Sequence, residues 1–345
     1  MASPEISVCV PTYNGGQFLA ETLECIAAQS FSDIEILIVD DGSTDDTLDI
    51  ARTFTLRDRR ARVIRNEQRA GSSAKNANVC IGHARGEWIK FLYQDDLMTP
   101  GCLDALRDAG RRGPLVVSRH RYRFEPGVDD SMRKAYESLP TIAEALPGDF
   151  APPEAFCNAV LDHWEINFIG PTSSSFIRRD CFTRYGLFAL DIATFPDLEY
   201  WIRVGSNEGL AIVPDPMVTF RVHGKSISAS RNDPTNPRQY QYSLELLALL
   251  CKLRTDPLYE RLRRRASSHP AASRLEALFR ELACQGRWIA VDTRFRTKDV
   301  SQLEYWNSFC QRYPVVLEVL REVDAETPAL SRLKHFVKSR LSLRR

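Results

Sequence analysis

The sequence predicts an α/β protein: a twisted, mixed, mostly parallel sheet flanked by helices, followed by a helical extension. Three observations predict it. In the first third of the 345 residues, short apolar runs alternate with stretches whose apolar residues recur at helical spacing. Those runs are mostly apolar, as expected for strands covered on both faces. Beyond Asn236 the strand signals give way to successive amphipathic helices.

ISVCV (6–10) and IEILIV (34–39) are the first two strands. Between them Phe18, Leu19, Thr22, Leu23, Ile26 and Ala27 share one helical face. Ser43, with Asp46 three residues on, has capping-box spacing and opens a second helix through Leu48, Ala51 and Phe54. RVIR (62–65) is a third strand and SSAKNANVCIGHA (72–84) the helix after it. WIKFLY (88–93) is the fourth strand, and Thr99 with Pro100 offers an N-cap and a first-turn proline for another helix. This βαβαβαβα order implies a parallel sheet. The pattern loosens over 111–170, with a strand at 115–118 and a helix around 155–162, and a second cluster of elements runs from 171 to 230. YSLELLALLCKL and RLEALFRELAC are amphipathic helices beyond the linker-like RNDPTNP, so the chain divides into 1–225 and 226–345.

Composition excludes several classes. Apolar residues make up 43% and charged residues 26%, ordinary for a globular chain, and the net charge of +1 provides no global field for nucleic acid. The nine cysteines form no CxxC pair and are odd in number, which fits reduced thiols in a cytoplasmic protein better than a disulfide framework or a zinc site. The opening MASPEISVCVPTYN lacks a basic stretch followed by an apolar core, so no signal peptide is expected. No apolar run approaches the ~20 residues that span a bilayer. A soluble, cytoplasmic protein is the expectation.

Chemistry gathers at the strand ends, where open α/β sheets bind ligands. Pro11, Thr12, Tyr13 and Asn14 follow the first strand, Asp40, Asp41, Gly42 and Ser43 the second, and Gln94, Asp95 and Asp96 the fourth. One such cluster would be an ordinary turn; three on one edge make a site. Adjacent carboxylates repel, and a bound Mg²⁺ or Mn²⁺, which favours oxygen ligands and substrate phosphates, relieves that conflict. Asp40 can accept from a base N–H, Tyr13 can stack on a base, and Arg69 and Lys75 can lie along phosphates, although Lys75 alone reads equally as solvated charge on a surface helix. Neither GxxxxGK[ST] nor GxGxxG occurs, so no P-loop or dinucleotide fold is indicated.

VCVPTYNGGQFLAETLECIAAQSFSDIEILIVDDGSTDDT and NEQRAGSSAKNANVCIGHARGEWIKFLYQDD resemble, in order, the motifs of family 2 glycosyltransferases, the inverting enzymes of the Rossmann-like GT-A fold that use nucleotide-sugar donors. The resemblance covers roughly residues 5–225. It implies that Pro11, Thr12, Tyr13 and Asn14 line the nucleoside, that Asp40 reads a pyrimidine, and that Arg69 and Lys75 face the base and diphosphate. Asp95 and Asp96 would hold the ribose and the metal, Mn²⁺ or Mg²⁺, with His223 of FRVHGKSISAS approaching that metal or the diphosphate. A lone histidine is also commonly structural. Tyr93 stands where many members carry an aspartate, which leaves open which carboxylate touches metal.

Inverting transfer needs a carboxylate opposite the leaving group to take the acceptor hydroxyl's proton. FPDLEYWIRV (195–204) resembles the family element that carries it and implies Asp197, with Pro196 in place of the usual glutamate. Asp197 can equally be a helix N-cap, and Glu199 is the second candidate. GPTSSSFIRRD (170–180) would shape the acceptor site. The expected reaction moves a sugar from a UDP- or dTDP-sugar to a hydroxyl of a glycan or lipid-linked acceptor in surface polysaccharide assembly. Because of Tyr93 and Pro196, a non-catalytic nucleotide-sugar-binding protein with a decayed site is the alternative. A nucleotidyltransferase is disfavoured because PTYNGGQF lacks a basic residue. Finally, ALSRLKHFVKSRLSLRR spaces Leu330, Leu333, Val337 and Leu341 as a basic amphipathic helix, suited either to packing on the protein or to an anionic membrane at the inner face of the cell.

Overall fold

The structure is a computed structural model that describes residues 3–164, 166–224 and 239–326. The linker motif at 231–237 and the basic helix at 330–341 lie outside the described residues. The chain forms two compact units, Met1–Ser230 and Arg231–Arg345.

In the first unit the strands are β1 (Ile6–Thr12), β2 (Ile34–Asp40), β3 (Ala61–Arg65), β4 (Trp88–Phe91), β5 (Leu97–Met98), β6 (Leu115–Phe124), β7 (Phe150–Ala151), β8 (Ser175–Arg178) and β9 (Leu210–Val222). They form one mixed sheet in the order β3-β2-β1-β4-β8-β6-β9-β5, with β7 also on β9. β3, β2, β1 and β4 run parallel. β8 enters antiparallel between β4 and β6, and β6 pairs in parallel with β9. Every residue of β1, β2 and β4 is buried. On one face Ile6, Val8, Val10, Ile36 and Ile38 pack with Leu19, Leu23 and Ile26 of α1 (Leu19–Ala27) and with Phe54 of α2 (Thr47–Arg57). That apolar burial dominates the folding free energy.

Several expected boundaries move for physical reasons. The fourth strand stops at Phe91, and Leu92 and Tyr93 lead into the acidic turn. Ser43 does not cap α2: its hydroxyl turns back to Asp40, and Asp46 occupies the cap position. The helix after Thr99 and Pro100, α4 (Cys102–Ala109), begins later because Gly101, at φ 76°, takes the cap position in a left-handed conformation open chiefly to glycine. β6 extends to Phe124, well past residue 118. α3 (Ser73–His83) starts as expected, with Ser72 accepting from the Lys75 N–H.

Four more helices complete this unit: α5 (Asp130–Glu137), α6 (Ile142–Ala145), α7 (Pro153–Asp162) and α8 (Asp180–Arg184), before α9 (Pro196–Glu208). The second unit is helical among the described residues, from α10 (Gln239–Thr255) through α11 (Glu260–Ser267), α12 (Ala272–Thr297) and α13 (Ser301–Arg312) to α14 (Val315–Glu326). None of the nine cysteines forms a disulfide. Among the described residues no helix is long and apolar enough to cross a membrane.

Candidate active site

Parallel strands β1, β2 and β4 release their chain at one sheet edge, so the three polar clusters meet there. The loop after β1 is pinned to its neighbours. Tyr13 donates its N–H to the Gln94 side chain at 2.8 Å, and Gln94 Nε2 returns a bond to the Tyr13 carbonyl at 3.1 Å. Asn14, at φ 48°, accepts from the Thr44 N–H at 2.9 Å and donates its own N–H to Ser43 Oγ, also at 2.9 Å. Asn14 thus ties the β1 loop to the β2 loop, and Pro11 and Thr12 are buried beneath it. Tyr13 is 36% exposed, and the Arg69 guanidinium lies over its ring at 3.9 Å. A cation over an aromatic face is a favourable pair, and together they offer a flat surface to a base.

Asp40 and Asp41 divide their work. Asp40 is 0% exposed and is engaged by its own turn, accepting from the Gly42 and Ser43 N–H groups at 3.0 Å each and from the Ser43 hydroxyl. The expected base-reading carboxylate is therefore buried and held within its own turn. Asp41, a member of the same cluster with no role expected from the sequence, accepts from Asn66 Nδ2 at 2.9 Å and from the Ala70 and Gly71 N–H groups. It fixes the loop that carries Arg69. Lys75 is exposed in the first turn of α3, at a helix N-terminus, the end whose dipole favours anions.

The acidic doublet is asymmetric. Asp95 Oδ2 lies 3.0 Å from His223 Nε2. Asp96 is 1% exposed and turns inward, accepting from the Arg221 N–H at 3.0 Å and bonding to the Ser173 side chain. Burial, and then the charge of Asp95, push the Asp96 carboxyl well above the usual carboxylate range. The Arg221 guanidinium donates to the Asp95 carbonyl at 2.7 Å, pairs with Glu21 and Glu125, and stacks on Phe18. One strand, β9, therefore fastens the doublet and also delivers His223. Among the described residues no group of three or more His, Cys, Asp or Glu side chains gathers around a metal position. What is assembled is one carboxylate and one imidazole, a pair that suits a divalent ion whose remaining ligands are phosphate and water.

Asp197 sits in the first turn of α9. It is not the N-cap; Phe195 holds that position, and Pro196 fills the first helical place that favours proline. Its Oδ1 accepts from the Leu198 N–H at 2.8 Å and its Oδ2 from the Thr172 hydroxyl at 3.4 Å. Burial outweighs these bonds and pushes the carboxyl up to about 6. Glu199 is no base: it is buried and paired at 2.8 Å with Arg203 in the interior. Tyr93 belongs to the site. Its N–H donates to Ser173 Oγ at 3.0 Å, its hydroxyl bonds with Thr172, and burial followed by the Asp197 charge raises its ionisation.

Residues 7–180 match the family model described as "Glycosyl transferase family 2". An uncharacterised protein of Mycobacterium tuberculosis is 32% identical over 232 residues, 67% of this chain and 70% of its own length. The next two curated relatives are matched over 40% and 41% of their length. Among solved structures, Staphylococcus aureus TarS (residues 1–349) in complex with UDP aligns with a TM-score of 0.52 at 19% identity, over 92% of this chain and 91% of that one. The mannosyltransferase PcManGT of Pyrobaculum calidifontis, in complex with GDP-Man and Mn²⁺, aligns with a TM-score of 0.53 at 20% identity, over 89% and 86%. These likenesses show the fold.

Proposed function

The chain belongs to glycosyl transferase family 2, and from that premise we propose that it is a metal-assisted inverting glycosyltransferase moving a sugar from a UDP- or dTDP-sugar to an acceptor hydroxyl, with Asp197 as general base. The single observation that carries the reading is the raised Asp197 carboxyl, close to Tyr93 and joined through Thr172 and Ser173 to the acidic doublet. A carboxyl near 6 is a far better proton acceptor than an ordinary aspartate, yet it is ionised at neutral pH.

Roles follow from position. Tyr13 and Arg69 present the nucleobase platform, over a floor of Pro11, Thr12 and Asn14. Lys75 and the start of α3 face the diphosphate charge. Asp95 and His223 would hold the divalent ion, with Asp96 buried next to them and held by Arg221 and Ser173. Such an ion would offset the charge that develops on the departing diphosphate. Asp197, fixed by Leu198 and Thr172, takes the acceptor proton as the hydroxyl oxygen attacks the anomeric carbon and the bond to the diphosphate breaks. An acceptor attached to a lipid or a growing surface glycan suits this family assignment. The TarS complex supports a uridine nucleotide, and the PcManGT complex supports both a nucleotide sugar and Mn²⁺.

Thermal melting of the full chain with UDP-, dTDP-, GDP- and CMP-sugars, each with and without Mn²⁺, tests the donor. A ligand that binds the folded state at about 100 times its Kd adds roughly 2.7 kcal/mol of stability. The UDP- or dTDP-sugar should raise the midpoint most, and only fully so with Mn²⁺. No shift with any nucleotide sugar would leave the reading without support.

A further inference from the structure

Lys90 lies in the middle of β4 between Ile89 and Phe91 and is 0% exposed. An ammonium removed from water costs several kcal/mol unless it is held by good partners. Its partners are backbone carbonyls: Nζ donates to Ser173 O and, at 3.5 Å, to Ser175 O. Burial is the largest influence on this ammonium and weakens its hold on the proton, and the neighbouring Asp96 carboxyl acts in the opposite direction. The two carbonyls belong to the short turn Thr172–Ser174 and the first residue of β8. Ser175 Oγ closes the same turn by donating to the Thr172 carbonyl at 2.6 Å.

From that turn, consecutive side chains reach the two acids of the site. Thr172 donates to Asp197, while Ser173 bonds to Asp96 and accepts the Tyr93 N–H. We infer that Lys90 is a positioning residue: its ammonium fixes the Thr172–Ser174 turn, and the turn sets the spacing between the metal-side carboxylates and the base. Inverting transfer needs such a fixed spacing, because the donor's anomeric carbon must lie between the two acids. A displacement of about 1 Å at such a site can cost about 100-fold in rate. The inference rests on the proposed reaction for its catalytic consequence but not for its geometry.

The test compares Lys90→Met, Thr172→Val and the double variant in the full chain. Methionine is close in length and apolar, but it leaves the Ser173 and Ser175 carbonyls without their donor, a loss worth about 1–3 kcal/mol, so the melting midpoint should fall by several degrees with the fold retained. Lys90→Met should lower kcat about 30-fold and Thr172→Val about 10-fold, while the double variant should lose little more than Lys90→Met alone, because both act through one turn. Amide exchange in residues 171–176 should quicken about tenfold or more in Lys90→Met while exchange in β1 is unchanged. A kcat within threefold of the parent, or losses that multiply in the double variant, would overturn the inference. Should Lys90→Met fail to fold, Ser173→Ala leaves the lysine in place and should still lower kcat about tenfold; an unchanged kcat would count against the inference. If the parent transfers no sugar at all, the functional reading fails, and the exchange measurement alone decides the role of Lys90.

Discussion

At the scale of single residues, the site is a set of acids with different tasks. Asp40 holds a turn, Asp41 a loop, Asp95 faces His223, Asp96 lies beneath it, and Asp197 stands apart on α9. Asp197→Asn keeps the shape of the side chain and removes the proposed proton acceptor. It should lower kcat by about 10²–10⁴-fold while calorimetry shows donor affinity within a few fold of the parent; full turnover in this variant would exclude Asp197 as base. Because burial pushes this carboxyl up to about 6, kcat/KM should fall as pH drops below about 6. Arg69→Ala removes the cation from the Tyr13 ring. Loss of such a contact is worth about 0.5–2 kcal/mol, so donor KM should rise about 3- to 30-fold with little change in kcat. An unchanged KM would remove Arg69 from the donor platform.

Helices and strands explain which parts of the site the sequence could disclose. β1, β2 and β4 are readable because each is buried on both faces and mostly apolar, with Ser7, Glu35 and Lys90 as exceptions, and their ends therefore mark the polar clusters. Tyr13, Asp95, Asp96 and Asp197 followed from those ends and from the family resemblance. The structure adds what short-range pattern cannot carry. Asp40 and Asp41 are chemically alike and adjacent, and only the fold shows that one is closed into its turn while the other clasps residues 66–71. Arg221 lies 125 positions from Asp96, so their bond has no local trace. One clue was present in the sequence, a lysine inside the apolar run WIKFLY, where an unpaired charge is not tolerated. Among the caps, Ser72 is the clearest local device, accepting from Lys75 at the start of α3. Ser72→Ala should cost about 1 kcal/mol, measured by urea unfolding, and should weaken donor binding because α3 begins beside the proposed diphosphate position. Unchanged stability would show that the cap contributes nothing.

For the whole molecule, the same raised carboxyl links activity to stability. The folded Asp197 holds its proton up to about 6, against an ordinary value of 3.8, so between those values the native state binds more protons than the unfolded chain. Stability contributed at this position therefore falls as pH rises from about 4 to about 6 and stays low above that. Asp197→Asn should remove this slope and leave the variant relatively more stable than the parent at pH 7 than at pH 4, as measured by urea midpoints; a difference independent of pH would contradict the assigned environment. β9 carries a further consequence. It is the last strand of the first unit in chain order, yet it lies inside the sheet beside β6 and brings both Arg221 and His223 to the doublet. A ribosome adds about 5–20 residues each second and domains fold as units. For several seconds the nascent chain thus carries strands one to eight with its acidic turn unclamped, and the proposed catalytic centre is assembled only when the ninth slides home.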